Sequence, residues 1–319
     1  MTGSPTTQEH TAPSGLGTAV TPMPADQAKD LIDRLRQNIR TVYIGNSQAI
    51  DRLIVCLLAR GHVLIEDVPG VGKTVLATAL ARSVDCKFSR VQLTPDMLPA
   101  DVLGVSVFDT TTGEFQFKRG PIFANILLAD EINRTTPRTQ SALLESMQEA
   151  TVSIDGRVMT LDQPFMVVAT QNPFEFEGTY LLPENQLDRF LMRISLGYPS
   201  PEAEAQVLNQ RPSESQLGAL SPVMDRKQVI ALQALTDAVR IDSEIIEYII
   251  RLANATREHA ELRIGLSPRA TLALAQAARA RAVLSGRDYC IPEDVLENIE
   301  SVCGHRVVSR GYLQSGDLS

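Results

Sequence analysis

Five short apolar runs, "HVLIED", "SRVQL", "NILLAD", "FMVVAT" and "RISLGY", punctuate residues 62 to 198 with little polar alternation. Strands buried on both faces read this way, as in a parallel sheet covered by helices. Helical patterns lie between several of them: "KTVLATALARSV" follows the first and "TQSALLESMQEA" the third. Such alternation predicts an α/β layered domain. Upstream, "QAKDLIDRLRQNIR" sets Leu31, Ile32, Leu35 and Ile39 on one helical face, and "SQAIDRLIVCLLARG" reads as a second, more buried helix ending at Gly61. The strand pattern stops near Tyr198. Ser200 and Pro201 then read as the N-cap and first turn of a helix, and further helices are expected over about 226–240, 243–261, 268–285 and 293–306.

This pattern predicts three parts: a flexible tail at 1–25, rich in Thr, Pro, Ser and Gly, an α/β domain over 26–198, and an all-helical domain over 199–319. Two stretches interrupt the α/β alternation. "VFDTTTGEFQFKRG" has a Thr-Gly turn between extended arms, and "TVSIDGRVMTL" has Asp155-Gly156 between alternating apolar residues, a strong hairpin signal.

Charge and composition narrow the function. With 30 Lys and Arg against 38 Asp and Glu, the chain carries a formal charge of −8, which argues against general adhesion to nucleic acid or anionic membrane. The longest apolar run, "LIVCLLA", falls far short of the roughly 18 residues that suggest a membrane span. The first residues lack the basic start and apolar segment of a secretory signal, and the four cysteines show no CxxC spacing. A cytoplasmic protein with reduced, packed cysteines is expected.

The chemistry concentrates in "VLIEDVPGVGKTVL". Gly70 and Gly72 let the backbone turn its N–H groups toward a phosphate, between a buried strand and a helix start. Lys73 would reach the β/γ-phosphates and the Thr74 hydroxyl would hold Mg²⁺. The nucleotide stretch is Pro69, Gly70, Val71, Gly72, Lys73, Thr74 and Val75. Asp67 stands where the usual pattern has its first glycine. Its carboxylate is expected to point away from the phosphates and to close a turn on the backbone two residues on, bracing the loop.

"ILLADEINR" ends an apolar run in two acids, a costly placement unless a cation sits nearby. Asp130 suits a Mg²⁺ partner and Glu131 suits activation of a water against the γ-phosphate. Asn172 in "VVATQNP" could position that water, or it could cap a loop. Arg269 follows Ser267, a capping residue, and Pro268. A cation there opposes the helix dipole, which an anionic partner would resolve. From spacing alone, a solvated surface position is the favoured reading for both Arg189 and Arg269.

In this order, "VLIEDVPGVGKT", "RVQLTPDMLPADVLG", "FKRGPIFANILLADEINRTTPRTQSALLESMQE", "VVATQNPFEFEGTYLLPENQLDRF" and "LSPRA" resemble the MoxR family of AAA+ ATPases, over nearly all of the chain outside the tail. The resemblance implies a P-loop three-layer αβα core with a parallel sheet and a C-terminal helical lid. It identifies the hairpins with the helix-two insert and the hairpin before sensor one. Asn172 matches sensor one, Arg189 the arginine finger reaching a neighbouring subunit's ATP, and Arg269 sensor two on the lid. It further implies ATP and Mg²⁺, a homo-oligomer that is usually a hexameric ring, and chaperone-like action on a client with a partner carrying a von Willebrand factor A domain. Two rival readings stay open. A nucleic-acid motor would use Lys118, Arg119 and Arg157 of the hairpins, which Asp109, Glu114 and Asp155 offset. A nucleotide-gated binding module would not turn over, and Glu131 speaks against it.

Overall fold

The computed structural model describes residues 23–173, 178–210 and 217–310. Residues 1–22 of the expected tail and the "FEFE" of the fourth motif lie outside this range.

The apolar runs form a five-stranded sheet: β1 (Val63–Glu66), β2 (Phe88–Gln92), β3 (Ile126–Asp130), β4 (Met166–Gln171) and β5 (Met192–Ile194). Their order in space is β5-β1-β4-β3-β2, and every pairing is parallel. β3 and β4 are buried along their whole length, which is why they lack polar alternation. The period of two still sorts their side chains. Val63, Ile65, Ile126, Leu128, Met166 and Val168 enter one core with helices Ala25–Arg40, Ser47–Leu58 and Lys73–Ser83. Leu64, Leu127, Ala129, Val167 and Ala169 enter a second core with helix Pro137–Glu149. The result is a three-layer α/β/α domain.

Of the C-terminal helices, Pro201–Gln210, Arg226–Ala238, Ser243–Glu258, Pro268–Leu284 and Pro292–Cys303, the last four share the first core. Ser200 Oγ accepts the Ala203 N–H, and Ser267 Oγ the Ala270 N–H, so the two capping serines start their helices as expected. The C-terminal region also holds extended pieces that the helical reading omitted. Met224–Asp225 pairs with Val84–Asp85, and Leu262–Ile264 with Val308–Ser309. Strands of two or three residues are too short to leave a periodic signal. Arg306 ties this region to the sheet domain, donating to Asp188 Oδ1 at 2.6 Å and to Phe190 O at 2.7 Å.

Both hairpins form, Gly104–Asp109 with Glu114–Arg119 and Thr151–Ile154 with Arg157–Thr160. Asp155 and Gly156 both have positive φ, 51° and 73°, as a tight two-residue hairpin turn requires. Ser106 Oγ donates to Asp155 Oδ2 at 2.6 Å and links the pair.

His62 is a buried hydrogen-bonding link between β4 and helix Pro137–Glu149. Its Nδ1 accepts the Val167 N–H at 3.0 Å, which leaves the proton on Nε2, facing Met147 O at 2.9 Å. Burial pushes its pKa down to about 4. Unfolded imidazole titrates near 6.5, so the stability tied to neutral His62 is complete above that pH and drains away as pH falls toward 4. Urea denaturation should show unfolding free energy dropping by about 2 kcal/mol from this group between roughly pH 7 and pH 5. A flat profile over that interval would contradict the assignment.

Candidate functional site

The site lies at the carboxyl ends of β1, β4 and β3, three neighbouring strands. Ligands of open α/β sheets gather at this edge. β1 runs into the loop that precedes helix Lys73–Ser83. Gly70 and Gly72 take φ of 87° and 92°, a conformation in which other residues are strained. Gly72 caps the helix without a side chain, so the first N–H groups stay open to an anion. Lys73 Nζ reaches back to Asp67 O at 2.6 Å and Gln171 O at 3.3 Å. Burial lowers its pKa, countered by the charges of Asp67, Asp130 and Glu131.

β3 delivers the acids. Asp130 is buried, with Oδ2 accepting from Arg90 Nε at 2.8 Å and Oδ1 from the Thr170 hydroxyl at 3.1 Å. The next residue, Glu131, has left-handed φ and ψ of 58° and 53°. Such strain costs on the order of 1–3 kcal/mol and persists where neighbours enforce it. Here Thr170 Oγ1 accepts the Glu131 N–H at 3.0 Å, and Arg134 Nε pairs with Glu131 Oε2 at 3.1 Å. Thr170 therefore fixes both acids at once, a role that sequence reasoning missed. Its only signal was a hydroxyl at the end of an apolar run, one residue before the pair Gln171-Asn172. Asn172 follows β4 at the same edge, and its backbone O accepts from Asn133 Nδ2 at 3.5 Å.

The Asp67 carboxylate is taken up by hydrogen-bond donors within the chain, but the expected local turn is replaced by something longer in reach. Its Oδ1 accepts the Val68 N–H, one residue on and not two, at 2.8 Å. Its Oδ2 accepts from Ser195 Oγ, Leu196 N and Gly197 N at 2.8, 2.7 and 2.8 Å. Three donors in the segment after β5 outcompete a single local amide for this oxygen. Burial opposes the charge, yet these bonds hold the carboxyl below the usual range.

Beside the loop opens a cavity of about 350 Å³. It is lined by Tyr43, Ile44 and Gly45, by Pro69 to Gly72 and Val75 of the loop and its helix, and by Tyr198, Pro199, Glu204 and Val207. Arg189 and Arg269 are elsewhere. They share a separate cavity of about 340 Å³ with Arg60, Gly61, His62, Gln148 and Asp188. Gly61 and His62 precede β1, so this cavity sits at the opposite end of the strand from the phosphate loop. Arg269 Nη1 lies 3.6 Å from Asp188 Oδ2, and the buried Arg189 Nε has no hydrogen-bond partner among the described residues.

The donor set suits a magnesium nucleotide: an amide-lined loop, an ammonium, a hydroxyl and two acids at one sheet edge. With the strand order and the helical C-terminal region, this defines an AAA+ ATPase with a helical lid. A family model described as "ATPase family associated with various cellular activities (AAA)" matches residues 62–192, and "AAA lid domain" matches residues 254–318. Chaperone MoxR1 of Mycobacterium tuberculosis is 42% identical over 87% of this chain and 75% of its own. Protein MoxR of Methylorubrum extorquens is 31% identical over 88% of each, and the uncharacterized protein YeaC of Bacillus subtilis 48% identical over 87% of each. A crystal structure from Cytophaga hutchinsonii, of a candidate ATPase, superimposes with a TM-score of 0.83 at 36% identity, covering 92% of both chains. The chain belongs to the MoxR family of AAA+ ATPases.

Proposed function

We propose that this chain hydrolyses ATP as a cytoplasmic homo-oligomer, most simply a hexameric ring, and uses the cycle to remodel or mature a client protein. The observation that carries the reading is the convergence of Lys73, Thr74, Asp130, Glu131 and Asn172 at the carboxyl ends of adjacent strands. Lys73 would exchange its two backbone carbonyls for β/γ-phosphate oxygens. Glu131, clamped by Thr170, would take the proton of the attacking water, and Asn172 would orient that water. Thr74 and Asp130 would hold Mg²⁺, which when bound neutralises charge on the phosphate oxygens.

Arg189 and Arg269 share a cavity remote from their own phosphate loop, so both are assigned to the nucleotide of a neighbouring subunit. ATP would then be cleaved only in the assembly.

A protein client is favoured over nucleic acid by the hairpins. Val105, Phe108, Phe115 and Val158 are exposed on them, Phe115 to 69%, with Phe108 and Phe115 packed edge to face at 5.3 Å. Exposed apolar side chains along the hairpin arms suit a polypeptide better than phosphates. The name of the mycobacterial chaperone supports a chaperone-like reading, and a partner with a von Willebrand factor A domain belongs to the same proposal. The test is phosphate release with ATP and Mg²⁺, run alongside mass measurement of the native assembly. Turnover that rises with protein concentration as the ring forms is expected. A monomer with full turnover, or an assembly with none even when its partner is supplied, would reject the proposal.

A further inference from the structure

Asp67 occupies a junction. Its backbone O receives Lys73 Nζ, while its carboxylate receives Ser195, Leu196 and Gly197. Consecutive backbone N–H groups converging on one oxygen are the usual backbone device for holding an anion. Here the anion is supplied from within the chain, at 9% exposure. Gly197 holds a φ of 69°. The chain then presents Tyr198, 81% exposed, and Pro199 before entering lid helix Pro201–Gln210. Tyr198, Pro199, Glu204 and Val207 form one wall of the cavity beside the phosphate loop. One carboxylate therefore joins the phosphate-loop lining of that cavity to a wall made by the linker and the first lid helix.

We propose that Asp67 is a positioning residue for the nucleotide: it sets the linker wall against the phosphate loop and so governs affinity for the nucleoside end of ATP, with little effect on the phosphate end. The inference rests on the reading of this cavity as the ATP site. It accounts for a carboxylate in place of glycine at a position where a free negative charge would repel phosphate. Its Oδ2 is turned wholly toward the linker while Oδ1 is held by the Val68 N–H, and a glycine would leave the Leu196 and Gly197 amides without their acceptor. Loss of a buried, charged acceptor of this kind is expected to change an equilibrium constant by about tenfold or more.

The probes are ATP and inorganic tripolyphosphate, each with Mg²⁺, competing with a fluorescent ATP analogue on the full chain. Asp67→Ala is expected to weaken ATP by about tenfold or more and tripolyphosphate by less than about threefold. Its KM should rise while kcat at saturating ATP stays within about threefold. Asp67→Asn should recover most of the loss, because the amide oxygen can still accept from Leu196 and Gly197. Ser195→Ala removes one donor from an exposed residue and keeps the test open should Asp67→Ala fold poorly. It should weaken ATP by about two- to threefold in the parent chain and have no effect in the Asp67→Ala background. Equal losses for ATP and tripolyphosphate would overturn the inference, as would unchanged ATP affinity in both Asp67→Ala and Ser195→Ala. A parent chain that binds neither probe would instead remove the ATP reading, and this inference with it.

Discussion

Glu131→Gln is expected to slow steady-state ATP hydrolysis by about 10²- to 10⁴-fold while ATP affinity stays within about threefold. The two observables separate because the substitution deletes a proton acceptor and little else. The glutamine is isosteric, so the left-handed backbone at this position and its N–H bond to Thr170 Oγ1 are retained. Asp130 keeps Arg90 and the Thr170 hydroxyl, so the proposed Mg²⁺ ligand is untouched. The substitution also weakens the ion pair with Arg134, which is partly exposed on both sides and worth at most about 1 kcal/mol. Phosphate-release assays and nucleotide titrations on one preparation supply both numbers. Parallel losses in binding and rate would mean that Glu131 shapes the site without acting as base. Undiminished turnover would remove it from the chemistry.

The parts of this site that were legible in the sequence are those where backbone chemistry dictates the residue. A phosphate loop needs glycine where φ is positive, and Gly70 and Gly72 sit at such angles. Two acids at the end of the "NILLAD" run point to a cation because burial makes them costly otherwise, and both lie on the expected strand edge. The central strands β3 and β4 were legible because burial on both faces imposes an apolar run, whereas edge strand β2 is only partly buried.

What escaped the sequence was set by packing across long separations. The Asp67 carboxylate is satisfied by residues about 130 positions away, and local turn chemistry gives no hint of them. Thr170 became visible only once β3 and β4 were neighbours, with Ala129 opposite Ala169. Arg269 shows this most clearly. Its start-of-helix position could be read from Ser267 and Pro268, but which end of the sheet that helix faces depends on how the lid docks. Leu272 and Ala273 of the same helix line the Arg189 cavity, which places Arg269 beside Arg189 and away from Gly70.

That placement yields the sharpest test of assembly-dependent chemistry. Arg189→Ala is expected to reduce ATP hydrolysis by about 10³-fold or more with nucleotide binding kept, because an arginine supplied by a neighbour stabilises charge that develops only during phosphoryl transfer. The same loss would follow from an arginine acting within its own chain, so the rate alone does not decide. Mixing does. In a ring with head-to-tail contacts, a Lys73→Ala subunit has a disabled phosphate loop but still offers Arg189, while an Arg189→Ala subunit keeps its loop and lacks the guanidinium. Each variant alone should be inactive. An equal random mixture should recover about a quarter of parental activity, the chance that an intact loop meets an intact arginine across one interface. Arg269→Ala should be rescued by the same Lys73→Ala partner, since it lines the same cavity. If the Arg189 and Lys73 variants fail to complement after subunit exchange is verified, the arginine works in its own subunit. The cavity it shares with Arg269 would then need another explanation, because within one chain β1 lies between that cavity and the phosphate loop.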